Sequence, residues 1–361
     1  MATTLFMSTA HLAKPPNRKA PVRAQALALV LGLMAAAFLS GPATATEKVP
    51  APQADSYLYL PLILRDYPSL SSVNPQNRQD SLTFYQQVYL ASEGVGVNWT
   101  GNHGACDPGT TDQEFRNAIV RRVNYFRAMA GVPGNMKLND QYNTKAQAAA
   151  LMMSVNQSLS HSPPSNWTCY TSDGAQGAAS SNLYLGVYGP SAITGYMRDP
   201  GSGNYFVGHR RWILYPQTQE MGTGDIPPTG FPAANALWVF DSNMWNPRPQ
   251  TREEFVAWPP PGYVPYQIVF ARWSFAYAGA DFSSATVTMS SDGSGVPVSL
   301  STPVNGYGEN TLVWIPNGLS DGASWPKPVT DTAHTVNIQN VVIGGQSSSF
   351  TYTVTVFDPT P

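Results

Sequence analysis

Charge is scarce in this chain: of 361 residues, 12% are Asp, Glu, Lys or Arg, with 20 basic against 22 acidic side chains and a formal net charge of −2. That balance excludes the electrostatic footprint of a nucleic-acid binder or of a protein drawn to an anionic membrane surface. Cysteine is scarcer still, at two residues, and histidine numbers five. No Cys-x-x-Cys pair, His-Glu-x-x-His helix or phosphate-cradling Gly-x-x-x-x-Gly-Lys loop occurs, so these signatures of a cysteine metal site, a zinc protease and a nucleotide site are missing. Long apolar runs are missing too, since the stretch from Ala26 to Leu39 is too short to cross a bilayer comfortably.

What is present begins with that stretch. Lys14, Arg18, Lys19 and Arg23 precede it and Ala43-Thr44-Ala45 follows, the layout of a secretory signal peptide over residues 1–45. Its removal takes away four positive charges and no negative ones, moving the net charge from −2 to −6. In an oxidising compartment Cys106 and Cys169 are most simply one disulfide, with two buried thiols as the alternative. Residues 46–104 mix Pro, Ser, Asn and Gln around one apolar piece, Tyr57 to Arg65, and read as a linker with a short docking strand.

Helical signals follow. Thr111-Asp112-Gln113-Glu114 offers a capping box ahead of Phe115, Ile119, Val123 and Phe126, and the arginines between them (Arg116, Arg121, Arg122, Arg127) read as a solvated face. A second helix runs from about Asn139 to Ser158 on small residues such as Ala146, Ala149 and Ala150. A Gly/Ala/Ser-rich loop, a shorter helix from Ser191 through Met197 and strands at Glu220 to Asp225 and Asn235 to Phe240 complete a mixed region over 105–245. Residues 246–265 read as a Pro-rich connector. Residues 266–361 alternate Val/Thr/Phe/Trp-rich runs with turns, the pattern of an antiparallel β-sandwich.

Two histidines stand out, His161 in Ser160-His161-Ser162 and His209 in Gly208-His209-Arg210-Arg211-Trp212. Converging imidazoles can hold a divalent cation or exchange protons; equally, each can simply bond backbone inside a packed domain. The order of motifs bears on this choice. Asn124-Tyr125-Phe126-Arg127, Leu138-Asn139, Ser160-His161-Ser162, Ser181-Asn182-Leu183, Gly208-His209-Arg210 and Met221-Gly222-Thr223-Gly224 together resemble the CAP superfamily (cysteine-rich secretory proteins, antigen 5, pathogenesis-related group 1), and within it the bacterial SCP-like extracellular proteins.

The resemblance covers about Asp112 to Phe240. It implies an α+β fold, a CAP-type α-β-α sandwich here followed by an all-β immunoglobulin-like sandwich, with two histidines and two acidic residues facing a cleft that in several members binds a divalent metal. Carried over, His161 and His209 are the metal-type histidines, Asp199 is offered for one acid, and Ser181 replaces the other as a hydrogen-bonding substitute. Tyr184 and Tyr205 are added as candidate cleft residues. The expected protein is secreted and non-catalytic, taking a small apolar (lipid or sterol-like) or polymeric ligand, with a divalent metal such as Zn as the candidate cofactor. Two alternatives stand beside it: a metal-dependent hydrolase of peptide or cell-wall material, and a cell-surface interaction protein that works through the β-sandwich.

Overall fold

A computed structural model describes residues 72–360 and the backbone of residues 7–8. The expected signal peptide, those two residues apart, and the docking strand at Tyr57 to Arg65 lie outside the described residues. The segment read as linker is folded where it is described. Helix α1 (Arg78–Phe84), capped by the Asn77 side chain, runs on through a wider π-type turn and a 3-10 turn to Ser92. It buries Phe84, Tyr85, Val88 and Tyr89 against Tyr125 and Phe126 of helix α2 (Gln113–Met129). Those apolar positions are diluted by Gln and Asp in the sequence, which is why the run does not announce itself as a helix.

A five-stranded sheet forms the middle layer of the first domain, in the order β1 (Met7–Ser8), β3 (Ser181–Leu185), β5 (Ala234–Trp238), β4 (Glu220–Ile226), β2 (Lys137–Leu138). Its strands alternate faces. Leu183, Ile226, Ala234 and Ala236 meet helices α3 (Asp140–Asn156) and α4 (Ser172–Ala179) on one side. Tyr184, Met221 and Leu237 meet α2, α5 (Gly189–Arg198) and α6 (Gly208–Ile213) on the other. The result is an α-β-α sandwich.

Its tight side is built on small residues. A Cβ on Gly224 of β4 would lie 2.1 Å from the Ala146 backbone, and one on Gly177 of α4 would lie 2.2 Å from the Lys145 carbonyl. The Gly/Ala/Ser stretch read as a loop is therefore helix α4, its glycines required by the close crossing with α3. The disulfide Cys106–Cys169 closes, with a sequence separation of 63, and pins the loop before α2 to the segment before α4.

The remaining strands are β6 (Val256–Trp258), β7 (Gly262–Pro265), β8 (Trp273–Ala276), β9 (Thr286–Ser291), β10 (Ser294–Val296), β11 (Val298–Leu300), β12 (Thr311–Pro316), β13 (Thr332–Ile343) and β14 (Gln346–Phe357). One sheet runs β11-β12-β8-β6 and the other β10-β9-β13-β14-β7, with β7 parallel to β14. Lettered A, A′, B, C, C′, D, E, F, G in chain order, these are the immunoglobulin arrangements ABED and A′GFCC′. The Pro-rich segment expected as a connector thus carries strands A and A′, and Pro259, Pro260 and Pro261 fall where the chain crosses from one sheet to the other, where a missing N–H breaks no ladder.

No linker separates the halves. Phe126 of α2 meets Trp258 of β6 edge-on at 5.0 Å, and one apolar core runs from α2 and α5 through Trp258, Trp273 and Trp314. Arg252 ties the same two halves, donating to the carbonyls of Ala128 and Met129 at the C-terminal end of α2.

Candidate functional site

The site is assembled where α5 ends and α6 begins. Asp199 takes the left-handed conformation (φ 54°) at the C-terminus of α5, one that Asp tolerates better than most residues, and Pro200 prevents the helix from continuing. This turn swings the carboxylate toward α6. Asp199 Oδ1 accepts from His209 Nδ1 at 2.6 Å, and Oδ2 accepts from the backbone N–H of His209 at 3.0 Å and of Arg210 at 3.4 Å. Both side chains of the pair are fully buried. Val207, just before α6, is also left-handed (φ 49°); for a β-branched residue that conformation stores on the order of 1–3 kcal/mol of strain.

The His209 ring lies against Tyr196 of α5, centroids 5.3 Å apart. Tyr196 is buried as well, and its hydroxyl donates to the Asn182 carbonyl at 3.0 Å and to Asn235 Oδ1 at 2.8 Å. Asn235 passes the chain on to Asp225 Oδ1 at 2.8 Å. Asp225 also accepts from Thr223 Oγ1 and the Gly189 N–H, both at 2.6 Å. Burial pushes the Asp225 carboxyl above its ordinary range, with those three donors opposing the shift. Asp225 and Asn235 are the functional-region residues that sequence reading missed. Their signal was a polar pair inside strands otherwise reading as buried.

His161 follows α3 and places Nδ1 2.8 Å from the carbonyl of Ala178. Asn182, four positions along, donates to the His209 carbonyl at 3.1 Å, so both histidines are anchored to the α4–β3 segment. A carbonyl and a carboxylate can only accept, so in the neutral state each ring carries its proton on Nδ1 and its lone pair on Nε2.

The other expected residues fall out differently. Tyr184 is buried at 5.6 Å from Tyr196, facing the same network. Ser181 is buried beside them, but its Oγ has no hydrogen-bond partner, so it is not the hydrogen-bonding substitute that the motif suggested. Tyr205 is 37% exposed, edge-on to Phe206, and stands outside the buried network.

A divalent cation at this site was expected from resemblance, and the donor set tests it. Among the described residues no three His, Cys, Asp or Glu side chains gather to hold a metal ion. Asp199 faces fixed N–H donors with both oxygens, which leaves two imidazoles and neutral oxygens. That set does not fit a dedicated metal centre, which draws on three or four protein ligands. Asp199 instead holds His209 in one tautomer and orientation.

The site is also wired to the second domain. Arg272, two residues before Ser274 of β8, donates to the carbonyls of Asp199, Asn204 and Gly201 and pairs with Asp321 at 3.0 Å. Arg210 is fully buried, donating to Met197 O at 2.7 Å and to Arg272 O and Ser274 Oγ at 2.9 Å, and burial lowers its pKa to about 9. Arg127, read from sequence as solvated, is buried and caps the end of α6 through the carbonyls of Ile213, Tyr215 and Thr218. Arg122 is likewise buried, bonded to Ser92 and Thr194 with its guanidinium 3.7 Å over the Tyr89 ring.

Two further features take no direct part in the Asp199–His209 pair. A cavity of about 600 Å³ lies between the Cys106 to Thr111 loop, α3 and the start of α4. A Gly-x-Ser-x-Gly string at Gly318 to Gly322 sits in the loop after β12, with no helix following it, so it lacks the strand-turn-helix context of a nucleophile elbow.

Residues 120–231 match the CAP family, described as the cysteine-rich secretory protein family. No curated protein matches the chain. Among solved structures, PcoC, a copper resistance protein from Escherichia coli, aligns at 14% identity over 30% of this chain and 99% of that one, with a TM-score of 0.19, too low to bear on fold or ligand.

Proposed function

Through its domain at residues 120–231 the chain belongs to the CAP superfamily, and on that premise we propose that it is a secreted, SCP-like protein that acts by binding rather than turnover. The ligand is a small apolar molecule of lipid or sterol type, taken at the two-histidine site. The observation that carries this reading is the fully buried Asp199–His209 pair. A hydrolytic site needs a carboxylate or imidazole with a lone pair available to water. Asp199 meets three N–H groups of the chain, so it orients the ring and has little capacity left to activate water. Tyr184 and Tyr196, packed beside the pair, supply apolar surface for such a ligand.

The disulfide favours an extracellular setting. Among the described residues no helix is long and apolar enough to cross a membrane.

Titration of the purified protein with a fluorescent sterol and a fluorescent fatty acid tests the proposal. One of them should bind, and His209→Phe should weaken it by about tenfold or more, equivalent to ~1.4 kcal/mol. Absence of binding by the folded wild type contradicts the reading. Peptide or cell-wall turnover lost in a His161→Ala/His209→Ala double variant would favour the hydrolase instead.

A further inference from the structure

A second groove, of about 410 Å³, lies on the CAP domain between the α2–β2 loop, the segment from Pro216 to Glu220, and the turn that follows β5. Its polar lining is mostly amide: Asn135, Gln217, Gln219, Asn243 and Asn246, with Lys137 and Glu220 as the charged pair. Four prolines, at 133, 216, 247 and 249, form the rest, and their fixed φ makes the walls stiff. On the turn between the lining residues Asn243 and Asn246 stands Trp245, a large apolar side chain with 64% of its surface exposed.

The groove is held in shape by one buried carboxylate. Asp241 Oδ2 accepts from the N–H groups of Gln219 and Glu220 at 2.8 and 3.0 Å. Its Oδ1 accepts from the backbone and side-chain N–H of Asn243 at 3.1 and 3.0 Å. The wall carrying Gln219 and the turn carrying Trp245 are therefore fixed to each other before any ligand arrives, which lowers the ordering cost of binding. Gln217, a lining residue, buries its Oε1 without a hydrogen-bond partner.

The geometry points to a glycan-binding groove, separate from the two-histidine site, whose ligand is a neutral chain of β-linked pyranoses. Equatorial hydroxyls leave such sugars a flat face of C–H bonds that covers an exposed indole. Each side-chain amide offers a donor and an acceptor in one plane, which matches hydroxyl and acetamido groups. A single Lys and a single Glu in the lining do not favour a polyanion.

Calorimetric titration of the full chain with cellohexaose and with chitohexaose tests the assignment. One of the two should bind. Trp245→Ala should weaken it by at least about tenfold and Trp245→Phe by less, with wild-type circular dichroism in both variants. Equal affinity in Trp245→Ala, or no affinity for either sugar, overturns the proposal. So does capture of a proline-rich peptide with neither oligosaccharide bound. Fluorescent-sterol binding by the same Trp245→Ala variant keeps failure here distinguishable from failure of the apolar-ligand reading.

Discussion

Inside the CAP domain lie charged and amide groups, Arg122, Arg127, Asp199, Asp225 and Asn235 among them, whereas the sandwich interior is filled by Trp258, Trp273, Trp314 and Phe275. The first kind of interior is directional. Each of these five groups has named partners at fixed distances, so one conformation is selected over its neighbours. The second is a matter of volume, with rings such as Trp273 and Trp325 packed at 5.3 Å and worth roughly 1.5–3 kcal/mol each by burial. The difference teaches where function sits: the domain that bears directional cost also holds the candidate site, and the apolar domain supplies mass and a rigid footing. Arg210 and Arg272 join the two, with Arg272 reaching from the sandwich to the Asp199 carbonyl.

The comparison can be broken most forcefully at its polar end. Asp199→Ala orphans the Nδ1–H of His209 and two backbone N–H groups, and should cost about 3–5 kcal/mol in urea unfolding, as removal of one member of a buried pair does. A cost under about 1 kcal/mol would mean that the pair does not organise the interior.

Next comes the joint. Arg272→Met leaves three carbonyls without their donor. It should cost about 1–3 kcal/mol and turn a single calorimetric transition into two, with the sandwich melting apart from the CAP domain.

The apolar end holds a buried histidine. His334 lies against Trp325 at 5.1 Å, neither ring nitrogen has a hydrogen-bond partner, and burial lowers its pKa from the ordinary 6.5, partly opposed by Asp292. The unfolded chain then binds the proton more tightly than the folded one. Stability from this group is complete above about pH 6.5 and falls as pH drops toward the lowered folded value, by up to ~1.4 kcal/mol per pH unit. A His334→Phe variant should show a shallower acid limb than wild type in pH-dependent melting.

The smallest effect sharpens the comparison from the other side. Ser181 buries a hydroxyl without a partner, so Ser181→Ala should be neutral or stabilising by up to about 1 kcal/mol in the same urea assay, unlike deletion of the partnered groups named above.

Sequence legibility followed the range of the interactions. The two long helices, the disulfide and most sandwich strands beyond residue 266 rest on local periodicity or on a count of two cysteines, and these were readable. Asp199 was named through motif order, not through any property of the residue alone. Arg122 and Arg127 looked solvated because a buried arginine differs from an exposed one only by partners far away in sequence, here Ser92, Thr194 and the end of α6. Helix α4 was hidden by glycines that a close crossing demands. Arg272 was lost within a strand-like run, since its role lies 73 positions away at Asp199.

The tautomer of His209 tests the central claim most directly. Long-range proton–nitrogen spectra of the imidazoles at pH 8, where an ordinary histidine is neutral, report which ring nitrogen carries hydrogen. A buried Asp199 that accepts from Nδ1 predicts a protonated Nδ1 and a lone-pair Nε2 in the wild type, with loss of that preference in Asp199→Ala. A His209 protonated on Nε2 in the wild type would contradict the account.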